Sequence, residues 1–359
     1  MRIGRTYMSG FNKSKGVIFP RNVLLGHRIL DQVADVCDDF KLPKEGMIVT
    51  GDTTYDAAGK DVKKYMEKAG YDILVHRTGA ATFANAEKIV KEATDAGSKF
   101  ILAVGGGSKI DLSKIASKDL KIPFISVPTS AAHDGISSGR ASMKSDMGPV
   151  SADAMVPMAV IADTRVISKS PYRLLASGCA DVISNLTAVL DWRMAKNEKN
   201  EGFSRSAEAL SMYSAETIIE NAAEIRKGNE ESVWIAMRPI IVSGLSMSIA
   251  GSSRPTSGSE HLFSHALDIL HPSGALHGEQ CGVGAIMMMY LHGGDWERVR
   301  GALNALGAPI SAKQLGIKDG DVIDALTYAH SVRKERFTIL GDGLSREKAK
   351  AIAKATGVI

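Results

Sequence analysis

The sequence is poor in what several common protein classes need. It holds only three cysteines in 359 residues, Cys37, Cys179 and Cys281, too far apart for a metal or redox motif. Isolated thiols in odd number exclude a disulfide scaffold and fit a reducing cytoplasm. Excess charge of one sign is also lacking. Lys plus Arg number 44 and Asp plus Glu 40, evenly spread, which excludes a nucleic-acid footprint. No apolar run approaches the ~20 residues of a membrane span. The best candidate, residues 285–291, is far shorter, so no membrane insertion is expected. The opening MRIGRTYMSGFNKSKG has no apolar segment of the secretory kind. Glycine, by contrast, is abundant at 35 residues and clustered, as tight backbone approaches to a ligand require. The length suits roughly two domains of ~150 residues each.

Residues 1–165 alternate short β-like runs with amphipathic helical stretches. Strands are predicted at 46–50, 71–76, 99–104 and 123–127, with one or two more within 154–162. Helices are predicted at 55–69, 84–96 and 110–120. Alternation at this spacing means βαβ units and a parallel sheet. From 166 to 359 the β-like runs disappear. Long amphipathic stretches cover 174–197, 204–227, 231–250, 261–270 and 278–291, with shorter ones at 296–306, 319–331 and 346–356. The expected fold is α/β: a Rossmann-like parallel-sheet nucleotide-binding domain at 1–165 and an all-helical metal- and substrate-binding domain at 166–359. The active site is expected in the cleft between them.

Two turns lie where ligands of open α/β sheets bind, at the carboxyl ends of strands. Gly105-Gly106-Gly107-Ser108-Lys109 separates a strand from a helix. Its amides and the helix N-terminus form an anion site, Ser108 can cap the helix, and Asp111 sits in the first helical turn. Neither G-x-G-x-x-G nor the phosphate-loop pattern is present, so a merely tight turn competes with nucleotide binding. The second turn is Thr129-Ser130-Ala131-Ala132-His133-Asp134-Gly135. Its hydroxyls and small side chains suit a flat ring or ribose, although a helix cap would look the same. Thr50-Gly51-Asp52-Thr53-Thr54 could meet the adenosine end of a nucleotide or simply start a helix.

His261 and His265, four residues apart, share one helical face. His277 follows a short loop, and Asp181 interrupts an apolar stretch. Two imidazoles and a carboxylate hold zinc with one position left open, and such a site polarises a carbonyl. Spacing alone leaves core or surface histidines as the plainer explanation. His27, His76, His292 and His330 read as non-functional.

Taken in order, Gly105–Ser108 with Asp111, the 128–135 run, Gly178-Cys179-Ala180-Asp181, Ser257-Gly258-Ser259-Glu260-His261 with His265, and Leu276-His277-Gly278-Glu279-Gln280 resemble the superfamily of glycerol dehydrogenase, iron-containing alcohol dehydrogenase and dehydroquinate synthase. The 129–135 and 257–261 runs are most similar to its archaeal sn-glycerol-1-phosphate dehydrogenase branch. The resemblance implies an oxidoreductase that uses NAD or NADP and a metal, Zn2+ with Fe or Ni as options. It implies reduction of dihydroxyacetone phosphate, a phosphorylated triose, in a cytoplasmic homo-oligomer. It makes Asp181, His261 and His277 the metal ligands and turns His265 and Asp134 toward the substrate as catalytic groups, with Asp181 also contacting it. Gly106, Gly107, Ser108, Lys109 and Asp111 would surround the pyrophosphate. Thr129, Ser130, Ala132 and Ser138 would line the nicotinamide half, and Asp52 the adenosine end. For the substrate phosphate, Arg254 is the leading cation, with Arg333, Lys334 and Arg336 as a second cluster. A polyol dehydrogenase, a lyase like dehydroquinate synthase and a non-catalytic regulator are the competing readings.

Overall fold

The computed structural model describes residues 16–145 and 148–359. Six parallel strands form the main sheet: β1 (Asn22–Gly26), β2 (Glu45–Thr50), β3 (Asp72–Arg77), β4 (Phe100–Gly105), β5 (Phe124–Pro128) and β8 (Ala159–Asp163). Their order is β1-β8-β5-β4-β2-β3. A separate antiparallel hairpin joins β6 (Arg140–Ser145) to β7 (Gly148–Asp153). Every residue of β4, β5 and β8 is buried, as expected for central parallel strands covered on both faces. Gly46 pairs with Phe100 across β2 and β4, and a Cβ there would meet the Phe100 ring at 2.3 Å. The ring therefore lies over the glycine, which holds this register.

After β2 the chain goes outward to β3, then returns to place β4 on the other side of β2. That reversal opens a crevice at the carboxyl ends of β2 and β4, where open α/β sheets bind ligands. Helices α1 (Val33–Asp39), α2 (Lys60–Lys68), α3 (Phe83–Asp95) and α4 (Gly107–Leu120) belong to this α/β part. Beyond β8 the long elements are helical: α5 (Tyr172–Lys199), α6 (Arg205–Glu220), α7 (Glu230–Ala250), α8 (Ser259–Leu270), α9 (His277–Leu291), α10 (Trp296–Leu306), α11 (Asp319–Val332) and α12 (Arg346–Ala355).

Three sequence expectations need correction. Strand β1 and the β6–β7 hairpin were not anticipated; on β6 only Ala141 and Met143 point inward, so its alternation is faint. Residues 204–227 form two helices, α6 and the short Ala222–Ile225 turn. Two helices, α5 and α7, are also long and apolar enough to cross a membrane by composition, with 89% and 56% of their apolar windows buried inside the protein. Helix α5 is apolar because it is a core helix, packed on α9, α6 and α8. Small and hydroxyl residues broke its apolar run in the sequence.

Candidate active site and metal centre

Helix α5 brings Asp181 under the second turn because Gly178 lets it approach. A Cβ on Gly178 would lie 2.0 Å from the Ala131 carbonyl oxygen. The Asp134 amide donates to Asp181 Oδ2 at 3.1 Å, which leaves Oδ1 buried without a hydrogen-bond partner among the described residues. Such an orphaned buried acceptor is costly unless something else satisfies it.

Two imidazole nitrogens face that oxygen. His261 Nε2 lies 3.7 Å and His277 Nε2 3.8 Å from Asp181 Oδ1. Their other nitrogens are engaged: His261 Nδ1 with Glu260 Oε1 at 2.9 Å and His277 Nδ1 with Ser264 Oγ at 3.1 Å. A proton held on Nδ1 by these partners leaves Nε2 as a lone pair, the tautomer a metal requires. Burial pushes His261 and His265 well below the ordinary histidine range and lowers His277 too. Burial also raises Asp181, and for Asp134 the Asp181 charge adds to the effect. Neutral imidazoles around a carboxylate that lacks a counter-charge are a donor set suited to a divalent cation. Buried Cys281, four residues after His277 on α9, completes a group of four whose donor atoms lie within 4.8 Å of one another. Of the His261/His265 pair, His261 joins this group; His265 stands off it, its ring 5.9 Å from that of His277 and its Nδ1 without a partner among the described residues.

The supporting shell is deeply buried. Glu260 accepts from the Gly258 amide at 2.6 Å and from Thr187 Oγ1 at 2.8 Å. Burial and nearby Asp191 push its carboxyl up to about 7. Asp191 itself accepts from the amides of Ser259 and Ile339 at 2.6 and 2.7 Å and meets His292 Nε2 at 3.1 Å. It thereby tethers the start of α8, the helix that carries His261.

A cleft of about 800 Å³ runs from the Asp181–His261–His277 group to the β4–α4 turn. Gly106, Gly107, Ser108, Lys109 and Asp111 line one end. Ser130, Ala132, Asp134 and Ser138 line the middle, and Asp181, His261, His265 and His277 the other end. Helix α4 starts at Gly107, capped by extended Gly106, so its first amides face the cleft. Gly107 is also a steric necessity, because a Cβ there would lie 1.9 Å from His133 Nε2.

Residues 25–171 match the model of the iron-containing alcohol dehydrogenase family. The chain is 52% identical over 97% of its length to a protein of Methanosarcina mazei named glycerol-1-phosphate dehydrogenase NAD(P)+, covering 98% of that protein. It is 48% identical over 95% of its length to the protein of the same name from Methanothermobacter thermautotrophicus, covering 98% of it. The chain belongs to the glycerol-1-phosphate dehydrogenase family. In fold it is similar to the glycerol dehydrogenase of Schizosaccharomyces pombe, with a TM-score of 0.80 at 18% identity, covering 97% of this chain and 92% of that one.

In this member of the glycerol-1-phosphate dehydrogenase family, five sequence candidates lie outside the cleft lining: Arg254, Asp52, Thr129, Lys334 and Arg336, the last donating to the Ser257 carbonyl and to Ser253 Oγ. Arg254 is buried in an ion pair with Glu201 and also donates to the Phe337 carbonyl at 2.9 Å. Its charge is spent, and Arg333 lines the cleft instead. Asp52 is an exposed partner of Arg77 at 3.1 Å, while Thr54 lines the cleft. Thr129 is buried outside the lining, its amide donating to the Gly105 carbonyl at 3.1 Å. Asp111 lines the cleft but is committed, accepting from Lys114 Nζ and the Ser142 amide, both at 3.2 Å.

Sequence reasoning missed several supporting groups. Lys114, fully buried, donates to the carbonyls of Gly135 and Arg140 and so ties α4 to the Asp134 loop. Ser243 Oγ donates to Asp134 Oδ2 at 2.7 Å. No local signal marks either contact. Cys281 had one: it stands four residues from His277, the spacing already noticed for His261 and His265.

Proposed function

We propose that this protein catalyses the reversible reduction of dihydroxyacetone phosphate to sn-glycerol 1-phosphate with NADH or NADPH and a bound metal. The product would supply the glycerophosphate backbone of archaeal membrane lipids. One observation carries the reading. A chain about half identical to named glycerol-1-phosphate dehydrogenases lines one cleft with both a glycine-rich helix start and an Asp-His-His cluster.

Asp181, His261 and His277 would hold the metal, Zn2+ by donor type with Fe or Ni as options. When bound, the metal supplies Lewis acidity at the ketone oxygen and the nicotinamide supplies the hydride. The rest falls to the chain. The amides of Gly107 and Ser108 at the α4 N-terminus receive the pyrophosphate. Ser130, Ala132 and Ser138 form the wall beside the nicotinamide. His265 would pass a proton to the substrate side of the cleft, a role supported by its burial, its neutral state and an Nδ1 without a partner among the described residues. Asp134, held by Ser243, is the second member of that route. Arg333 is the cation for the substrate phosphate. It lines the cleft, and the structure gives it no carboxylate partner among the described residues.

We divide the chain near residue 165, a reading supported by the end of β8 at Asp163. We place the enzyme in the cytoplasm as a homo-oligomer that takes a small soluble substrate, binding no nucleic acid and inserting into no membrane. Three unpaired cysteines support the compartment. A polyol dehydrogenase is the second reading, and the unpaired Arg333 in the cleft speaks against it.

The test is NADH and NADPH oxidation with dihydroxyacetone phosphate beside dihydroxyacetone, with a stereospecific assay of the product. Turnover of the phosphate to sn-glycerol 1-phosphate, abolished by a chelator and restored by zinc, is expected. Turnover of the unphosphorylated ketone alone would make the protein a polyol dehydrogenase. Turnover of neither, with no net oxidation of the nucleotide, would favour the lyase or regulator.

A further inference from the structure

We infer that the Cys281 thiolate is a fourth protein ligand to the metal in the substrate-free enzyme. The inference rests on the metal-dependent reading above and extends its donor set from three residues to four.

The four donor atoms lie close enough together to share one ion. Metal bonds of about 2.0–2.2 Å to nitrogen and oxygen and about 2.3 Å to sulfur give tetrahedral edges of about 3.3–3.7 Å, and the donors here sit at that spacing or slightly wider. Asp181 Oδ1 lies 3.7 Å from His261 Nε2 and 3.8 Å from His277 Nε2. Cys281 Sγ lies 3.5 Å from His277 Nε2. No pair among the four donor atoms is separated by more than 4.8 Å. The thiol thus lies within reach of an ion held by the other three donors.

Buried cysteines often serve only as small apolar residues. Cys37 and Cys179 do so, each packed in a hydrophobic cluster. Cys281 is equally buried, yet it joins neither cluster among the described residues, and both nitrogens of the His277 ring lie within 3.8 Å of its sulfur. Helix α9 presents His277 and Cys281 on one face because they are four residues apart. Binding exchanges one water on the ion for sulfur, and the thiol proton leaves to solvent.

Cobalt(II) replaces the native ion in the purified full-length protein and reports its ligands by absorption. A tetrahedral site shows visible d–d bands, and a thiolate ligand adds a near-ultraviolet sulfur-to-cobalt charge-transfer band. The charge-transfer band is expected in the wild type and in Cys37→Ser, and is lost in Cys281→Ser. Cobalt affinity in Cys281→Ser should fall at least about tenfold, no less than the loss typical of outer-shell partners. A wild-type protein with d–d bands but no charge-transfer band overturns the inference and leaves the three-ligand reading standing. Absence of stoichiometric cobalt uptake overturns both. Should Cys281→Ser fail to fold, X-ray absorption on the zinc-loaded wild type decides: a sulfur scatterer at about 2.3 Å supports the inference, and a shell of nitrogen and oxygen alone refutes it.

Discussion

Replacing Gly107 by alanine tests whether the nucleotide turn depends on a steric agreement with His133. The added Cβ would lie 1.9 Å from His133 Nε2 and 2.6 Å from its Cδ2, so the ring must move. That ring also accepts a hydrogen bond from the Gly135 amide at 2.8 Å, and moving it disturbs the loop that carries Asp134. Overpacking costs about 1–3 kcal/mol and the lost hydrogen bond about 1 kcal/mol. Alanine returns up to about 1 kcal/mol of helix propensity at the start of α4. The net expectation is a loss of about 1–3 kcal/mol, or about 1–4 °C in melting midpoint for a chain of this size. Cofactor affinity should fall with it if the same amide row receives the pyrophosphate, as proposed above. Adding His133→Ala removes the clash, so the double variant should recover most of the Gly107→Ala penalty. The assay is a double-mutant cycle read by thermal melting and by titration of NADH and NADPH. Additivity within about 0.5 kcal/mol would mean that the two residues do not meet, and the packing argument would fail.

Three further outcomes are expected. Arg333→Met should raise KM for dihydroxyacetone phosphate by about 10–150-fold, the worth of one charge-assisted hydrogen bond of about 1.5–3 kcal/mol, while dihydroxyacetone turnover stays unchanged; equal losses on both ketones would remove Arg333 from the phosphate site. Asp191→Ala leaves the Ser259 and Ile339 amides and His292 without their shared acceptor, and urea unfolding should show a loss of about 2–3 kcal/mol or more, together with weaker metal binding through α8. The His133 imidazole is pushed down to about 4 by burial. Its contribution to stability is therefore complete above the ordinary histidine value of about 6.5 and is lost as pH falls toward 4, by at most about 3 kcal/mol. Relative to wild type, His133→Asn should flatten the stability profile across that window, and parallel profiles for the two proteins would refute the assignment.

The sequence by itself carried the succession of the sheet strands along the chain from β2 onward and the change to helices after β8, but not their order within the sheet. Both follow from local periodicity, and β2, β4 and β5 are short apolar runs bounded by turns. It also marked both turns of the cleft and the positions of Asp181, His261 and His277, because glycine clusters, strand ends and an isolated charge in an apolar helix are local signals. The faint strands, β1 at an edge and β6 with two inward residues, escaped for the converse reason. Spacing could not separate His261 from His265; the resemblance did, and the tertiary structure gives the physical reason, since two imidazoles on one helical face differ in what another element brings to them. Only the tertiary structure showed that Arg254 is spent on Glu201 while Arg333 reaches the cleft. It alone placed Cys281 beside Asp181, a hundred residues away in the chain. Charge pairing and metal geometry depend on distances between elements, and those are set by how the helices pack rather than by the order of residues along the chain.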